Sequence, residues 1–197
     1  LEFSVCSSDL AGTVPYQSAS GTTAMLAAGT TGQIFRSAGA TAPSWGSAIT
    51  RETSQSASGT SVDFNVPSWV NQITVMFRGV STTGTNEIIV QLGTSGGVVS
   101  TGYLSAASNQ AGTVTASTAG FILTSSGAAS DIANGQMIIS AFGGNEFTAS
   151  SIVRVSASAL RHGAGGLSLG GTLTRLRITT TTGVDTFDAG TINITYS

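Results

Sequence analysis

Lysine is absent from this 197-residue chain, and charge of either sign is scarce. Only 8% of the residues are charged, against about 25% in an average folded domain. Seven arginines and nine acidic residues give a net charge of −2 and form no basic run. The chain therefore lacks the electrostatic footprint of a nucleic-acid-binding protein. Because lysine and glutamate are strong surface helix formers, their scarcity also disfavours long helices.

Long apolar runs are also missing, and cysteine and histidine are scarce. No stretch approaches the roughly 18 consecutive apolar residues of a membrane span, so no membrane insertion is expected. The chain has one cysteine, Cys6, and one histidine, His162. This count does not suit a zinc site of three or four ligands. A phosphate-binding loop requires a lysine that the chain does not have. The sequence therefore predicts no metal site and no cofactor.

Residues 1–10, LEFSVCSSDL, differ from the low-charge Ala/Gly/Thr sequence that starts at Ala11. They resemble the translation of a common short-read sequencing adapter that has lost one nucleotide. We therefore expect this segment to be non-native and the true N-terminal part to be missing, and such segments are excluded from reasoning about the fold. A native segment or a vector remnant is the alternative interpretation.

Residues 11–58 are rich in Gly, Ser and Thr, and their apolar residues come in pieces too short to form a core. These pieces are Val14-Pro15-Tyr16, Met25-Leu26, Ile34-Phe35 and Trp45. Such a strip is either a flexible linker or an extended shaft that needs partner chains. The sequence predicts an extended Gly/Ser/Thr-rich shaft segment here.

Residues 59–197 alternate between apolar and polar positions, which is the pattern of half-buried β-strands. The apolar sets are Val62/Phe64/Val66, Ile73/Val75/Phe77, Ile88/Val90/Leu92, Met137/Ile139/Ala141, Val153/Val155, Leu176/Ile178 and Ile192/Ile194/Tyr196. The run 121–123 is apolar on both faces, as in a central strand. Turn signals separate the runs, among them residues 143–145 and 162–166. The prediction is an all-β fold with an antiparallel, jelly-roll-like β-sandwich over residues 59–197.

Two groups of residues resemble the C-terminal part of bacteriophage tail-fibre, or receptor-binding, proteins. They are Pro15-Tyr16-Gln17-Ser18-Ala19, Gly32-Gln33, Gly39-Ala40, Ala42-Pro43 and Trp45 in the first region, and Pro67-Ser68-Trp69-Val70, Gly171-Thr172-Leu173 and the stretch Asp185–Ile194 in the second. The resemblance implies a homotrimeric component of the virion, made in the cytoplasm of the host bacterium. It further implies a distal domain that binds a bacterial surface glycan or an outer-membrane receptor. It assigns no receptor-binding residues, so these are unknown at this stage.

Residues able to carry catalysis are few. His162 has no adjacent nucleophile or orienting acid in a recognisable motif, and we expect a loop or surface role for it. Glycosidases use paired carboxylates across a cleft. The candidates are Glu52, Asp63, Glu87, Asp131, Glu146, Asp185 and Asp188. Asp185 and Asp188 are three residues apart beside a turn, so turn capping explains them best. The sequence predicts a non-enzymatic protein.

Two further sets of side chains admit a binding interpretation. Trp45 and Trp69 could stack on sugars, but each follows Pro-Ser within a recurrent motif, which favours packing. Arg154, Arg175 and Arg177 alternate with apolar residues, which favours a solvated sheet face over pairing between subunits. A carbohydrate-binding or adhesin domain of a bacterial or prophage surface protein is the alternative function. A glycan depolymerase is the third.

Overall fold

The computed structural model of the chain describes residues 11–125 and 127–197. The segment expected to be non-native, residues 1–10, lies outside them. Every regular element in the described residues is a β-strand, which confirms the all-β prediction. The chain divides into two compact units, Leu1–Thr50 and Arg51–Ser197. We call them the hairpin unit and the sandwich unit.

The hairpin unit consists of two antiparallel β-hairpins. Its strands are β1 (Val14–Ala19), β2 (Thr22–Leu26), β3 (Ile34–Ala38) and β4 (Thr41–Gly46), with β1 paired to β2 and β3 paired to β4. Gly21 and Gly39 stand at the two tight turns with φ of 71° and 69°, a conformation that favours glycine. The segment predicted to be extended thus folds back on itself twice. Most of its side chains remain exposed, since a two-stranded ribbon has no second layer to cover it.

Fourteen further strands follow, the first of them at the boundary between the units. They are β5 (Thr50–Arg51), β6 (Gln55–Ser56), β7 (Ser61–Asn65), β8 (Gln72–Thr82), β9 (Ile88–Thr94), β10 (Gly97–Val98), β11 (Leu104–Asn109), β12 (Val114–Ser117), β13 (Phe121–Ile122), β14 (Ala133–Gly143), β15 (Glu146–Ser156), β16 (Ala159–Ser168), β17 (Arg175–Thr180) and β18 (Phe187–Tyr196). All pairings described between them are antiparallel.

Two sheets form the sandwich. The larger runs in the order β12-β11-β16-β15-β14-β8-β18-β5, with β6 also paired to β18, and the smaller runs β10-β9-β17-β7, with β13 paired to β9. The chain passes repeatedly from one sheet to the other, as in a jelly roll. Within the described chain, no helix has the length and apolar character of a membrane span.

The core lies between the two sheets, and the predicted alternation supplies it. Val75, Phe77, Val90 and Ile178 are all at most 3% exposed. On β8 and β15 the side chains between the core positions are mostly exposed or half-buried, so these strands contribute about every second side chain to the core. On β9 residues 88–93 are all buried, so the predicted half-buried alternation is wrong for this strand. Residues 121–123 are buried as predicted, but β13 is not a central strand, because the only strand it is paired with in the described sheet is β9.

One turn prediction is wrong. Residues 162–166 were predicted to form a turn because of their three glycines, but they lie in the middle of β16. A Cβ on Gly163 would lie 3.0 Å from the Ile122 carbonyl oxygen, and one on Gly165 would lie 2.8 Å from the Leu104 carbonyl oxygen. Close approach of neighbouring backbone therefore requires these glycines.

The sandwich unit begins before the boundary expected at Gly59. The Glu52 amide donates to the Ile194 carbonyl oxygen at 3.0 Å, and β6 pairs with β18. Ala57 is 4% exposed within the core. Residues 51–58 therefore lie along the edge of the larger sheet, because their backbone groups form hydrogen bonds with β18.

Candidate functional site

His162 lies on β16, on the outward face of the larger sheet, which fits the expected surface position but not the alternative of a loop. Its neighbours across the strands are Ser108 and Ile152. Its side chain is exposed. Neither neighbour is a carboxylate that could orient the imidazole, so the surroundings of His162 do not resemble a catalytic triad.

Most of the candidate carboxylates are engaged in structural contacts. Asp185 accepts hydrogen bonds from the backbone and side-chain nitrogens of Asn86, both at 2.9 Å, and Asp188 accepts one from Ser81. These aspartates tie loops and strands that are distant in sequence, which differs from the capping of their own turn that the sequence suggested. Among the described residues, no group of three or more His, Cys, Asp and Glu could hold a metal ion.

The two tryptophans take part in packing. The Trp45 indole nitrogen donates to the Ala27 carbonyl oxygen at 2.7 Å, and the ring packs edge-on against Phe35 with centroids 5.6 Å apart. Trp69 is 49% exposed and packs edge-on against Tyr196 at 5.7 Å. Edge-to-face contacts of this kind stabilise both rings.

The three arginines expected on a sheet face lie on two different sheets. Arg177 on β17 forms a bidentate ion pair with Asp63 on β7, with both N–O distances at 2.7 Å. The Asp63 carboxylate raises the pKa of Arg177 through these hydrogen bonds. Arg175 extends over Gly93, and Arg154 projects from β15 of the larger sheet. These side chains do not converge on one site.

A groove on the outward face of the larger sheet was not anticipated. Two of the most exposed large apolar side chains flank it, Phe142 at 83% and Leu104 at 79%. Its volume is about 460 Å³, within the range of ligand sites. We call it the Phe142 groove. Its lining residues are Gly102, Leu104, Phe142, Glu146, Phe147, Thr148, Gly166, Leu167 and Ser168.

Sheet register explains the shape of the Phe142 groove. Leu104 on β11 is opposite Gly166 on β16, and Gly166 is opposite Thr148 on β15. Phe142 stands at the end of β14, the next strand across. The two apolar walls are therefore three strands apart, roughly 14 Å at the usual strand spacing. Directly across from Leu104, the floor is formed by Gly166 and Thr148, which add little side-chain bulk.

Gly166 keeps the floor open, and the fold does not require it. A Cβ at this position would meet nothing closer than the Phe147 carbonyl oxygen at 3.8 Å, which is ordinary van der Waals contact. This differs from Gly163 and Gly165 on the same strand, where backbone atoms leave no room. A side chain at residue 166 would fill the groove without disturbing the sheet.

Rigid elements hold both walls. Residues 143–145 form the β14–β15 turn, and all three have positive φ, Asn145 with 66°. The neighbouring Tyr103 anchors the start of β11: its hydroxyl accepts a hydrogen bond from the Leu92 amide at 2.6 Å and donates to the Val99 carbonyl oxygen at 3.1 Å. Burial raises the pKa of Tyr103 to about 12, while the Leu92 bond opposes that rise. The walls are therefore positioned before any ligand arrives.

The groove has a mixed chemistry. Glu146 is the only ionisable side chain in its lining, and its carboxylate forms no hydrogen bond or ion pair with described residues. Thr148 and Ser168 add hydroxyls that can donate or accept. An apolar wall on each side with acceptors on the floor suits a ligand that has both apolar faces and hydrogen-bond donors.

Comparisons with known proteins identify no relative. No protein-family model matches the chain, and no curated protein or solved structure gives a significant match.

Proposed function

We propose that this chain is the C-terminal part of a phage tail fibre, a structural component of the virion whose sandwich unit attaches to the host surface. The residues quoted for the family resemblance support the fibre assignment. The β-sandwich, with its two sheets and closed core, supports a rigid distal domain. In this proposal the protein is made in the bacterial cytoplasm, has no catalytic activity and requires no cofactor.

Attachment through the Phe142 groove rests on one observation above all. Phe142 and Leu104 are almost fully exposed on a rigid sheet, with an open floor between them. Exposed apolar side chains that are grouped together mark interaction sites, whereas single scattered ones carry no such meaning. Loops and edges on a rigid scaffold are also where binding residues concentrate.

The proposed assembly is a homotrimer. The hairpin unit exposes Met25, Ile34 and Phe35 at 46%, 45% and 49%. Three copies could bury these side chains against one another and would present three grooves at once. Multivalent attachment strengthens weak binding by roughly 10²–10⁴-fold. Light scattering on the full chain at micromolar concentration should give the mass of three chains, and a clean monomer would contradict the trimer.

Cell binding tests the attachment site. The full chain, fused to a fluorescent protein, is incubated with a panel of bacterial strains and bound cells are counted by flow cytometry. Phe142→Ser removes one wall, and Ile152→Ser is its control because Ile152 is 54% exposed on the same face outside the groove. Gly166→Leu fills the floor, and Ala164→Leu adds the same bulk to an exposed position of the same strand.

The proposal expects at least one strain to bind the wild-type chain, and expects only the Phe142 and Gly166 variants to lose that binding. If all four variants bind as the wild type does, the groove is not the attachment site. If no strain in a broad panel binds the wild-type chain, the attachment function itself is contradicted.

A further inference from the structure

A second groove lies on the outward side of β18 and shares no residue with the Phe142 groove. Arg78 on β8 is directly opposite Thr191 on β18, and Arg51 stands on the other side of β18. The groove has a volume of about 500 Å³. It is lined by Arg51, Ser54, Met76, Arg78, Thr191 and Asn193. We call it the arginine groove.

Positive charge in the arginine groove is uncompensated. Neither Arg51 nor Arg78 forms a hydrogen bond or an ion pair with described residues, and no carboxylate lines the groove. Two other arginines differ: Arg177 is paired with Asp63, and Arg161 donates to the Ser125 carbonyl oxygen at 2.7 Å. Two of the seven basic residues of a net negative chain thus face the same space.

Strand geometry brings the two guanidinium groups to a common ligand. Their strands flank β18, so their backbones are two strand spacings apart, roughly 10 Å. Arginine side chains are long enough to reach inward from both sides over the floor of Thr191 and Asn193. Two like charges this close repel each other, and an anion bound between them would turn that repulsion into attraction on both sides.

We propose that the arginine groove binds an oxyanion, a phosphate or carboxylate group carried by a small ligand or by a larger surface molecule. The guanidinium fork matches the oxygens of both groups and donates two parallel hydrogen bonds to them. The hydroxyls of Ser54 and Thr191 and the amide of Asn193 add further donors. Met76 supplies an apolar contact for whatever carries the anion. This site is independent of the attachment function proposed for the Phe142 groove.

Calorimetric titration of the full chain tests the site. The probes are glucose 6-phosphate, which carries a phosphate, glucuronate, which carries a carboxylate, and glucose, which carries neither. Arg51→Gln and Arg78→Gln each remove one fork while keeping an amide of similar length. Arg154→Gln is the matched control, since it changes the net charge equally at an exposed arginine on the outward side of β15.

Binding of one or both anionic probes, without binding of glucose, is the expected result. Loss of a charge-assisted hydrogen bond should weaken that binding roughly 10- to 100-fold in Arg51→Gln and in Arg78→Gln, and should leave it unchanged in Arg154→Gln. The probe that binds identifies the source of the oxyanion. The proposal is overturned if neither anion binds, if glucose binds equally well, or if Arg154→Gln weakens binding as much as the groove variants do. Melting temperatures of the variants equal to the wild-type value exclude misfolding as the cause.

Discussion

The two units are built from similar Gly/Ser/Thr-rich sequence but bury their apolar residues to different extents. In the hairpin unit, Ile34 and Phe35 are adjacent in sequence and both remain nearly half exposed. In the sandwich unit, Val75 and Phe77 occupy alternate positions of β8 and are at most 3% exposed. Amino-acid composition alone therefore does not determine which side chains are buried in this protein. What decides it is whether a strand has a second sheet opposite its apolar face.

Removing one aromatic ring from each unit should give the largest difference in the free energy of unfolding. Phe77→Ala should lower the free energy of unfolding by about 3–5 kcal/mol, because it leaves a cavity in a closed core. Phe35→Ala should change the same transition by less than about 0.5 kcal/mol, as exposed positions usually do. Urea denaturation of the two variants provides the measurement. Equal losses would show that the hairpin unit is packed as tightly as the sandwich.

Alkaline pH should affect the sandwich unit through Tyr103. Its pKa is raised to about 12 in the folded state, while an unfolded tyrosine ionises near pH 10. Folding therefore favours the neutral Tyr103 hydroxyl. The stabilisation that this hydroxyl contributes is fully present below pH 10 and is lost as the pH rises to 12. The free energy of unfolding should fall by roughly 2–3 kcal/mol over this window.

A matched pair of variants checks the origin of that loss. Tyr103→Phe should remove most of the decline between pH 10 and 12, and Tyr16→Phe in the hairpin unit should retain it because Tyr103 is still present. At neutral pH, Tyr103→Phe should still cost about 1–3 kcal/mol, since the Leu92 amide loses its acceptor. An unchanged alkaline slope in Tyr103→Phe would assign the loss to another group.

Glycine-to-alanine substitutions should affect the stability of the two units by different, smaller amounts. Gly165→Ala should lower the free energy of unfolding by about 1–3 kcal/mol, because the added methyl group meets the Leu104 carbonyl oxygen at 2.8 Å inside a sheet that cannot yield. Gly29→Ala meets the Trp45 ring at 2.7 Å. That ring is a side chain in an uncovered unit and can move aside, so we expect a cost below about 1 kcal/mol. Thermal melts followed by circular dichroism distinguish the two, and a larger loss for Gly29→Ala contradicts the argument.

Loss of the Asp63–Arg177 ion pair should have the smallest effect. Its side chains are 53% and 38% exposed, and exposed pairs contribute about 0–1 kcal/mol. Arg177→Gln should therefore lower the free energy of unfolding by less than about 1 kcal/mol, and 1 M NaCl should reduce the difference further. A loss comparable to that of Phe77→Ala would mean that exposure is a poor guide to stability in this fold.

Sequence reasoning predicted the parts of the fold that depend on local pattern. Val62 and Phe64, or Ile192 and Ile194, alternate in the printed sequence and are buried as predicted. It missed β11 and β16, whose sequences are dominated by Ala, Ser and Gly. In β16, Gly163 and Gly165 are required by close contact with neighbouring strands. Such contact depends on residues far apart in sequence, so a local reading takes the glycines for a turn.

The candidate sites were predictable only in part. Phe142 directly precedes the turn signal at residues 143–145, and an aromatic residue at a predicted turn is a usable sign of exposure. Leu104 carries no such sign, because its position opposite Gly166 follows from the pairing of β11 with β16. The same limit applies to Arg51 and Arg78, which become neighbours only across β18. The residues of both grooves lie on strands that are neighbours only in the sheet. Such sites can be recognised only once the strand order is known.

The position of β18 also constrains the order of events during synthesis. This strand is the last of the eighteen to leave the ribosome, yet it lies inside the larger sheet, with β8 on one side and β6 on the other. Until residues up to Tyr196 have emerged, β8 has an unpaired edge and the nascent sandwich has a gap. Unpaired edges are where growing chains associate wrongly. Closing the sheet therefore waits for the synthesis of β18, and a chain that stalls before Phe187 exposes β8 to neighbouring molecules.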